Sequence, residues 1–460
     1  MKSLFSLAAL AFAAIANAAS ATGSRTLVLV DEDGQKAEFS TFLGDLKSRG
    51  FDLTFSTAKA PSLKLFDLGE RNYDHIVLLP SKLNNLGSNL TPATLLNFVN
   101  ADGNILIALS ATHPVPGSLA LLLAELDISL PADRQTTVVD HFSYDAATAA
   151  TAHDVLVLPA PQPLRPDVQP YFSPAADQQH QDHVLVFPHG TAHVLGQSPL
   201  LAPILRAPDS AYLYAPKTQA AGVAPDDIFA TGRQLALVSA LQARNSARVT
   251  IVGASEMLAD KWIESEAAGK KVWNREFAKR VAGWTFKEIG VLRVNEVEHH
   301  LNEGVGNVSN PGIYRVKNEV SYSISLSEYK WDQWTPFNVP AADALQLEFS
   351  MLSPFHRLAL SPTAQSASAT VYAANFTVPD QHGIFNFLVN YKRPFMSNVE
   401  EKVTVSVRHM AHDEWPRSYE ISGAWPWMAG IWVTVAGFVG FSAVWMYSKP
   451  AGGAESKKTR

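Results

Sequence analysis

Thr26-Leu27-Val28-Leu29-Val30-Asp31-Glu32-Asp33-Gly34 decides the reading of this chain: an aliphatic run that stops on an acidic turn. It reads as a buried strand, and Phe39, Phe42, Leu43 and Leu46 then recur at helical spacing as far as Gly50. Phe51 to Ser56 reads as the next strand. Tyr73 to Leu79, closed by Pro80, and Asn104 to Leu109, preceded by Gly103, read as two more, with a helix over Thr91 to Val99 between them. The order is β-α-β, repeated. It predicts a mostly parallel sheet with helices on both faces and right-handed crossovers, the doubly wound, flavodoxin-like class. Val155 to Leu158, Val184 to Phe187 and Val249 to Val252 read as later strands of the same or an adjoining sheet, separated by Pro-rich loops such as Pro159 to Pro174.

The pattern changes after Val291. Ile313 to Val316, Val320 to Leu326, Leu345 to Phe349, Ala369 to Phe376, Ile384 to Tyr391 and Val403 to Val407 are strand-like, with turn residues between them and no comparable helix. Val403, Val405 and Val407 share one face, and Thr404, Ser406 and Arg408 the other. This predicts an antiparallel β-sandwich of roughly 100 to 125 residues. A linker rich in Pro and aromatic residues follows, Met410 to Gly423.

From Ala424 to Met446 no residue is charged. At 1.5 Å per residue the run reaches about 34 Å, enough for a hydrocarbon core of about 30 Å. Trp425 and Trp427 mark one interface of this transmembrane helix and Trp445 and Tyr447 the other. The tail beyond carries Lys449, Lys457, Lys458 and Arg460 against Glu455, which predicts a cytosolic side. Lys457 and Lys458, third and fourth from the end, have the form of a dilysine retrieval address of the endoplasmic reticulum. At the other end Lys2, the apolar Leu4 to Ile15 and Ala16-Asn17-Ala18 form a secretory signal pattern. The expected organisation is a signal peptide over 1–18, a luminal α/β region over 19–290 and a luminal β-sandwich over 291–412. A juxtamembrane linker over 413–423, a transmembrane helix over 424–446 and a cytosolic tail over 447–460 complete it. Asn89, Asn307 and Asn375 head acceptor sequons for luminal glycosylation, the first weakened by Pro92 just after Thr91.

The chain is 47% hydrophobic and 17% charged with a net charge of −6, which is globular and offers no basic run for nucleic acid outside the tail. There is no cysteine. Disulfides, thiol nucleophiles and thiolate metal sites are therefore excluded.

Few residues carry a chemical signature. Asp31, Glu32 and Asp33 stand where open α/β sheets place their sites and could meet a divalent ion or sugar hydroxyls, although a solvated acidic loop accounts for them as well. His189 and His193 have the i, i+4 spacing of zinc ligands, but Pro188 and Gly190 oppose a helix and no Glu follows the first His. Gly253-Ala254-Ser255-Glu256-Met257 imitates a nucleophile elbow without its second glycine. Gly304-Val305-Gly306 lacks the third glycine of a dinucleotide loop. A glutamine amidotransferase-like sheet would need a cysteine on its elbow, so that activity is excluded. No cofactor and no metal are expected. In the membrane helix Gly430, Thr434, Gly437 and Gly440 recur at helical spacing, the small-residue pattern that lets another helix approach closely.

Longer blocks carry a resemblance. Gln234 to Thr250 (QLALVSALQARNSARVT), Trp273 to Phe277 (WNREF), Trp284 to Val294 (WTFKEIGVLRV) and His299-His300 are similar to the beta subunit of the eukaryotic oligosaccharyltransferase complex, the wheat-germ-agglutinin-binding subunit of fungi. So are Tyr322 to Phe337, Leu347 to Leu360, Val378 to Arg393 and Val405 to Trp415. The resemblance implies membership of the endoplasmic reticulum complex that moves an oligosaccharide from dolichyl diphosphate to asparagine in Asn-X-Ser/Thr sequons. It implies a non-catalytic accessory subunit beside a ribophorin II-like subunit, the small defender-against-death subunit and a multi-spanning catalytic subunit. It also implies a secondary carbohydrate-binding role for the amino-terminal domain, for which Asp31 to Asp33 are the only local support. A stand-alone luminal glycan-binding module and a luminal hydrolase acting through Ser255 are the competing readings.

Overall fold

The computed structural model describes residues 20–31, 33–133, 135–161, 168–173, 184–215, 228–263, 266–267, 270–302, 308–411 and 423–448. The signal peptide, Glu32, Asn307, most of the linker and the tail with Lys457 and Lys458 lie outside them. The chain divides into two compact units, Met1–Val407 and Arg408–Arg460.

The first unit opens with β1 (Arg25–Leu29), α1 (Asp33–Glu38), α2 (Ser40–Ser48), β2 (Asp52–Ser56) and β3 (His75–Leu78). Then come α3 (Pro92–Asn100), β4 (Asn104–Ala108), α4 (Gly117–Glu125), β5 (Ile128–Ser129), β6 (His193–Leu195), β7 (Leu201–Arg206), β8 (Leu235–Gln242) and β9 (Arg248–Val252). These strands form one mixed sheet in the order β2-β1-β3-β4-β9-β8-β6-β5, with β7 also paired to β8. The first five run parallel. The rest are antiparallel, which departs from the mostly parallel sheet expected. The cause is local: β8 and β9 are joined by a tight turn closed by Ala243 N donating to Ala247 O (2.8 Å), with Ser246 at φ +65°, and so short a link joins only antiparallel strands. Val155–Leu158 and Leu185–Pro188 pair with each other in a small separate antiparallel sheet.

Both faces of the inner parallel strands are covered, so β3, β4 and β9 read as unbroken buried runs. Side chains alternate between two cores. Leu27, Ile76, Ile105 and Ile251 pack with Leu95 and Phe98 of α3 and Leu122 of α4. Val28, Val77, Leu106 and Val252 pack with Phe42 and Leu46 of α2 and with the helix α5 (Asn274–Thr285). α3 starts where it does because Thr91 Oγ1 accepts from Thr94 N (3.2 Å) and Pro92 occupies its first turn.

After α5 the described elements of the first unit are all strands: β10 (Ile289–Leu301), β11 (Ile313–Arg315), β12 (Glu319–Lys330), β13 (Gln333–Pro336) and β14 (Gln346–Met351). β15 (Ser353–Ala359), β16 (Ser361–Gln365), β17 (Thr370–Thr377), β18 (Gly383–Tyr391) and β19 (Val399–Arg408) follow. One five-stranded sheet has the order β10-β12-β17-β16 with β13 on β12, and the other β11-β19-β18-β14-β15. Alternation buries Val320, Tyr322, Ile324 and Leu326 of β12 and Phe385, Phe387 and Val389 of β18. Tyr322 stacks on Phe387 with centroids 5.3 Å apart, and Phe349 meets Phe376 at 5.1 Å, so aromatic rings join the two sheets.

The mixed sheet and the strand-rich region share one core through a joint around Arg248. This guanidinium is fully buried with no carboxylate partner among the described residues. Nη1 donates to Trp284 O (2.6 Å) and Ile289 O (2.7 Å), Nη2 donates to Gly290 O (2.6 Å), and the group lies 4.7 Å from the Trp284 ring centre. Burial lowers its pKa to about 9, which still leaves it charged at neutral pH. Gly290 has φ +68°, and a Cβ there would stand 2.6 Å from Phe395 O. The β18–β19 loop closes the joint: Trp284 Nε1 donates to Phe395 O (2.8 Å), Ser397 N to Gly290 O (3.0 Å) and Asn398 N to Ser246 Oγ (2.9 Å). Arg49 pairs with the buried Glu288 on the other side of α5.

Arg248→Leu strips three buried carbonyls of their donor, and a loss on the order of 3 kcal/mol or more is expected in thermal unfolding of the full chain. Arg248→Lys should not restore it, because an ammonium lacks the planar fork that reaches three acceptors at once. A wild-type melting curve for either variant would show that the joint is dispensable.

Candidate functional site

The place to look in an open α/β sheet is the carboxyl edge of the parallel strands. Beyond β1, Asp31 uses both carboxylate oxygens within the protein. Oδ1 accepts from Ser81 Oγ (2.9 Å) and Oδ2 from Lys82 N (2.6 Å), while Asp31 N donates to Gln35 Oε1 (2.9 Å) and Gln35 Nε2 to Pro80 O (2.7 Å). The carboxylate thus ties the β1 loop to the β3 loop. Glu32 lies outside the described residues, and Asp33 begins α1. The adjoining crevice, lined by Leu78, Pro80, Ser110, His113 and Leu119, has a volume of about 20 Å³. That is room for about one water.

Beyond β9, Ser255 is buried, and its N–H donates to Leu109 O (2.6 Å). No described hydrogen bond joins its hydroxyl to a histidine. Gly253 is required by packing rather than by chemistry, since a Cβ there would meet Thr191 O at 2.2 Å. The histidines 189 and 193 serve different partners. His189 Nδ1 lies 2.9 Å from Asp154 Oδ2, whereas His193, fully buried in β6, places Nε2 2.5 Å from Ser239 Oγ. Among the described residues no three His, Cys, Asp or Glu side chains converge as a metal site. Residues 303–307 of the glycine loop lie outside the described residues.

Larger hollows sit elsewhere. A cleft of about 400 Å³ at the joint is lined by Leu200, Gln242, Arg244, Trp284, Arg393 and Phe395. Two of the cations at this cleft are already engaged, Lys392 with Glu400 (2.6 Å) and Arg393 with Asp343 (2.9 Å). What the arrangement does chemically is to hold surfaces together. Sequence reasoning missed Arg248 and Glu288, although a charge inside the strand Ala247-Arg248-Val249-Thr250 was a signal that the strand end is capped by something.

The sequons differ in what their side chains already do. Asn375 and Thr377 are both exposed on β17. Asn89 Nδ2 donates to Ala60 O (3.4 Å), and Thr91 is the cap of α3. Asn307 lies outside the described residues, but Ser309 Oγ donates to Glu298 Oε1 (2.9 Å). In the second unit α6 (Trp425–Tyr447) is a helix long and apolar enough to cross a membrane, with none of its residues buried. Thr434 Oγ1 donates to Gly430 O (2.8 Å), and the Cβ positions of Gly430, Gly437 and Gly440 face open space.

Comparison with known proteins finds relatives over most of this chain. The family model described as OST48, N-terminal domain matches residues 17–288, and the OST48 middle domain matches residues 299–449. The dolichyl-diphosphooligosaccharide–protein glycosyltransferase subunit wbp1 of Schizosaccharomyces pombe is 34% identical over 429 residues, 93% of this chain and 93% of that one. The 48 kDa subunit of the same enzyme from Danio rerio is 31% identical over 92% of each chain. Subunit WBP1 of Saccharomyces cerevisiae is 30% identical over 91% of this chain and 90% of that one.

Burial gives the buried histidines a pH signature. It lowers His75 and His193 to about 4, so between pH 6.5 and 4 the unfolded chain binds more protons than the folded one. The stability is fully present above 6.5 and is lost as pH falls towards 4, on the order of 3 kcal/mol per histidine. Glu288 acts oppositely: burial raises it to about 7, so its contribution is lost as pH rises from 4.5 through 7. His193→Leu should flatten the acid limb of melting temperature against pH. A limb as steep as wild type would remove His193 from its cause.

Proposed function

The chain belongs to the OST48 family, and on that premise we infer that it is a non-catalytic accessory subunit of the oligosaccharyltransferase complex, acting in protein N-linked glycosylation. The observation that carries this is full-length similarity: both family models match in order, and a relative named as a subunit of the enzyme shares 34% identity over 93% of both chains. The helix α6, long and apolar enough to cross a membrane, supports a single-pass membrane protein.

Finer points are our reading. We take the parallel strands, in the order β2-β1-β3-β4-β9, as a flavodoxin-like sheet of the glutamine amidotransferase-like kind, and the two later sheets as a β-sandwich. The boundaries 19–290 and 291–412 follow from that reading. The chain sits in the endoplasmic reticulum membrane with its bulk luminal and is retrieved through Lys457 and Lys458. Its neighbours are a ribophorin II-like subunit, the small defender-against-death subunit and the multi-spanning catalytic subunit, with Gly430, Thr434, Gly437 and Gly440 as the helix-packing face. Asp31 to Asp33 as a glycan contact is a secondary role, and Asp31 would have to release Ser81 and Lys82 to serve it.

Capture of the full chain from solubilised membranes through a luminal tag should bring the other subunits in near-stoichiometric amounts together with peptide glycosylation activity. Recovery as a lone protein would overturn the subunit reading. Replacing Gly437 and Gly440 together by Leu should loosen that recovery. Of the sequons, Asn375 should be the occupied one: Asn375→Gln removes a deglycosylation-sensitive mobility shift, whereas Asn89→Gln leaves it. The reverse result would mean that exposure in the folded state does not govern occupancy.

A further inference from the structure

The strand-rich region has two unlike ends. At one, the loop Lys392–Asn398 is locked into the joint. At the other, Gly383 pairs with Val407 near the finish of β19, Met351 Sδ lies 2.3 Å from where a Cβ on Gly383 would stand, and the β14–β15 hairpin turns at Leu352. Four apolar side chains are exposed there: Leu352 completely, Ile384 by 66%, Ile313 by 47% and Phe355 by 41%. They form one rim. The Phe355 ring is 5.3 Å from that of Phe385, next to Ile384, and Ser406, opposite Ile384, donates its N–H to Gly312 O (3.0 Å), next to Ile313.

Leu352 has φ +64°, a left-handed turn position that a leucine seldom occupies, and its side chain lies in the open. Leu352 stands fully exposed at the tip of the β14–β15 hairpin. A protein partner would need a matching cavity for such a tip, whereas fluid acyl chains close around it without one. A bilayer is also what the chain itself supplies, because only residues 409–424 separate the end of β19 from α6.

We propose that this rim docks at the boundary between head groups and acyl chains of the bilayer that α6 crosses, with Leu352 the deepest residue. This contact goes beyond the subunit assignment and uses only the membrane span from it.

The absence of cysteine makes the test specific. Leu352→Cys, carrying an environment-sensitive fluorophore, is placed in the full chain in phosphatidylcholine nanodiscs with doxyl-labelled acyl chains. A fully exposed side chain can be replaced without disturbing the core. Leu121→Cys, 65% exposed on α4, is the aqueous control and Thr434→Cys in α6 the membrane control. The expected result is a blue shift with lipid quenching at 352 and at 434, and neither at 121. Quenching at 434 alone overturns the rim. Quenching at neither removes the membrane span and the rim with it. A blue shift at 352 without lipid quenching, seen only when other subunits are present, means that a protein covers the rim and likewise overturns the proposal.

Discussion

A guanidinium among carbonyls and aromatic rings holds the first unit together. Arg248 ends the turn after β8, and its three donated hydrogen bonds land on residues 284, 289 and 290, where α5 gives way to β10. A carboxylate partner would satisfy the charge locally and leave the backbone of that junction unsatisfied. Carbonyl partners do both at once, because the planar fork spreads its donors over a segment that otherwise has three buried acceptors. Trp284 then covers the cation and passes the constraint on through its own N–H to Phe395 O. A Cβ on Gly290 would run into Phe395 O, so the glycine lets the β18–β19 loop come this close.

At the other end of the parallel strands, the crevice is not built as an active site would be. In a doubly wound enzyme the loops beyond the strands carry reactive groups into an open hollow. Here Asp31 is spent on closing one loop against another, Ser255 is held by a backbone bond to Leu109, and the remaining hollow admits about one water. A body built this way keeps surfaces at fixed distances, which is what a subunit in a larger assembly needs.

The inner strands of the parallel half were legible because both of their faces are buried, so Thr26 to Val30, Asn104 to Leu109 and Val249 to Val252 stand out as aliphatic runs. The antiparallel half was not. His193–Leu195 has only three residues and Leu201–Arg206 is interrupted by Pro203, and their direction depends on the turn at Ala243–Ala247 and on pairing partners far away in sequence. The histidines 189 and 193 were legible only negatively: Pro188, Gly190 and the missing Glu argued against a ligand pair, but only the fold shows that one meets Asp154 and the other Ser239.

By itself the sequence determined whatever depends on local composition and period. It set an apolar run long enough for a membrane, alternation that makes β12 and β18 one-faced strands, the total absence of thiol chemistry, and the long blocks that place the chain in its family. Only the tertiary structure decided which charges are buried and what they hold. Arg248 and Arg244 stand four positions apart in one chain segment, yet one lies at zero exposure among carbonyls and the other in solvent. The reason is physical: the energy of a buried charge is set by acceptors and a ring contributed by residues 36 to 42 positions away in the chain, whose convergence no local pattern records.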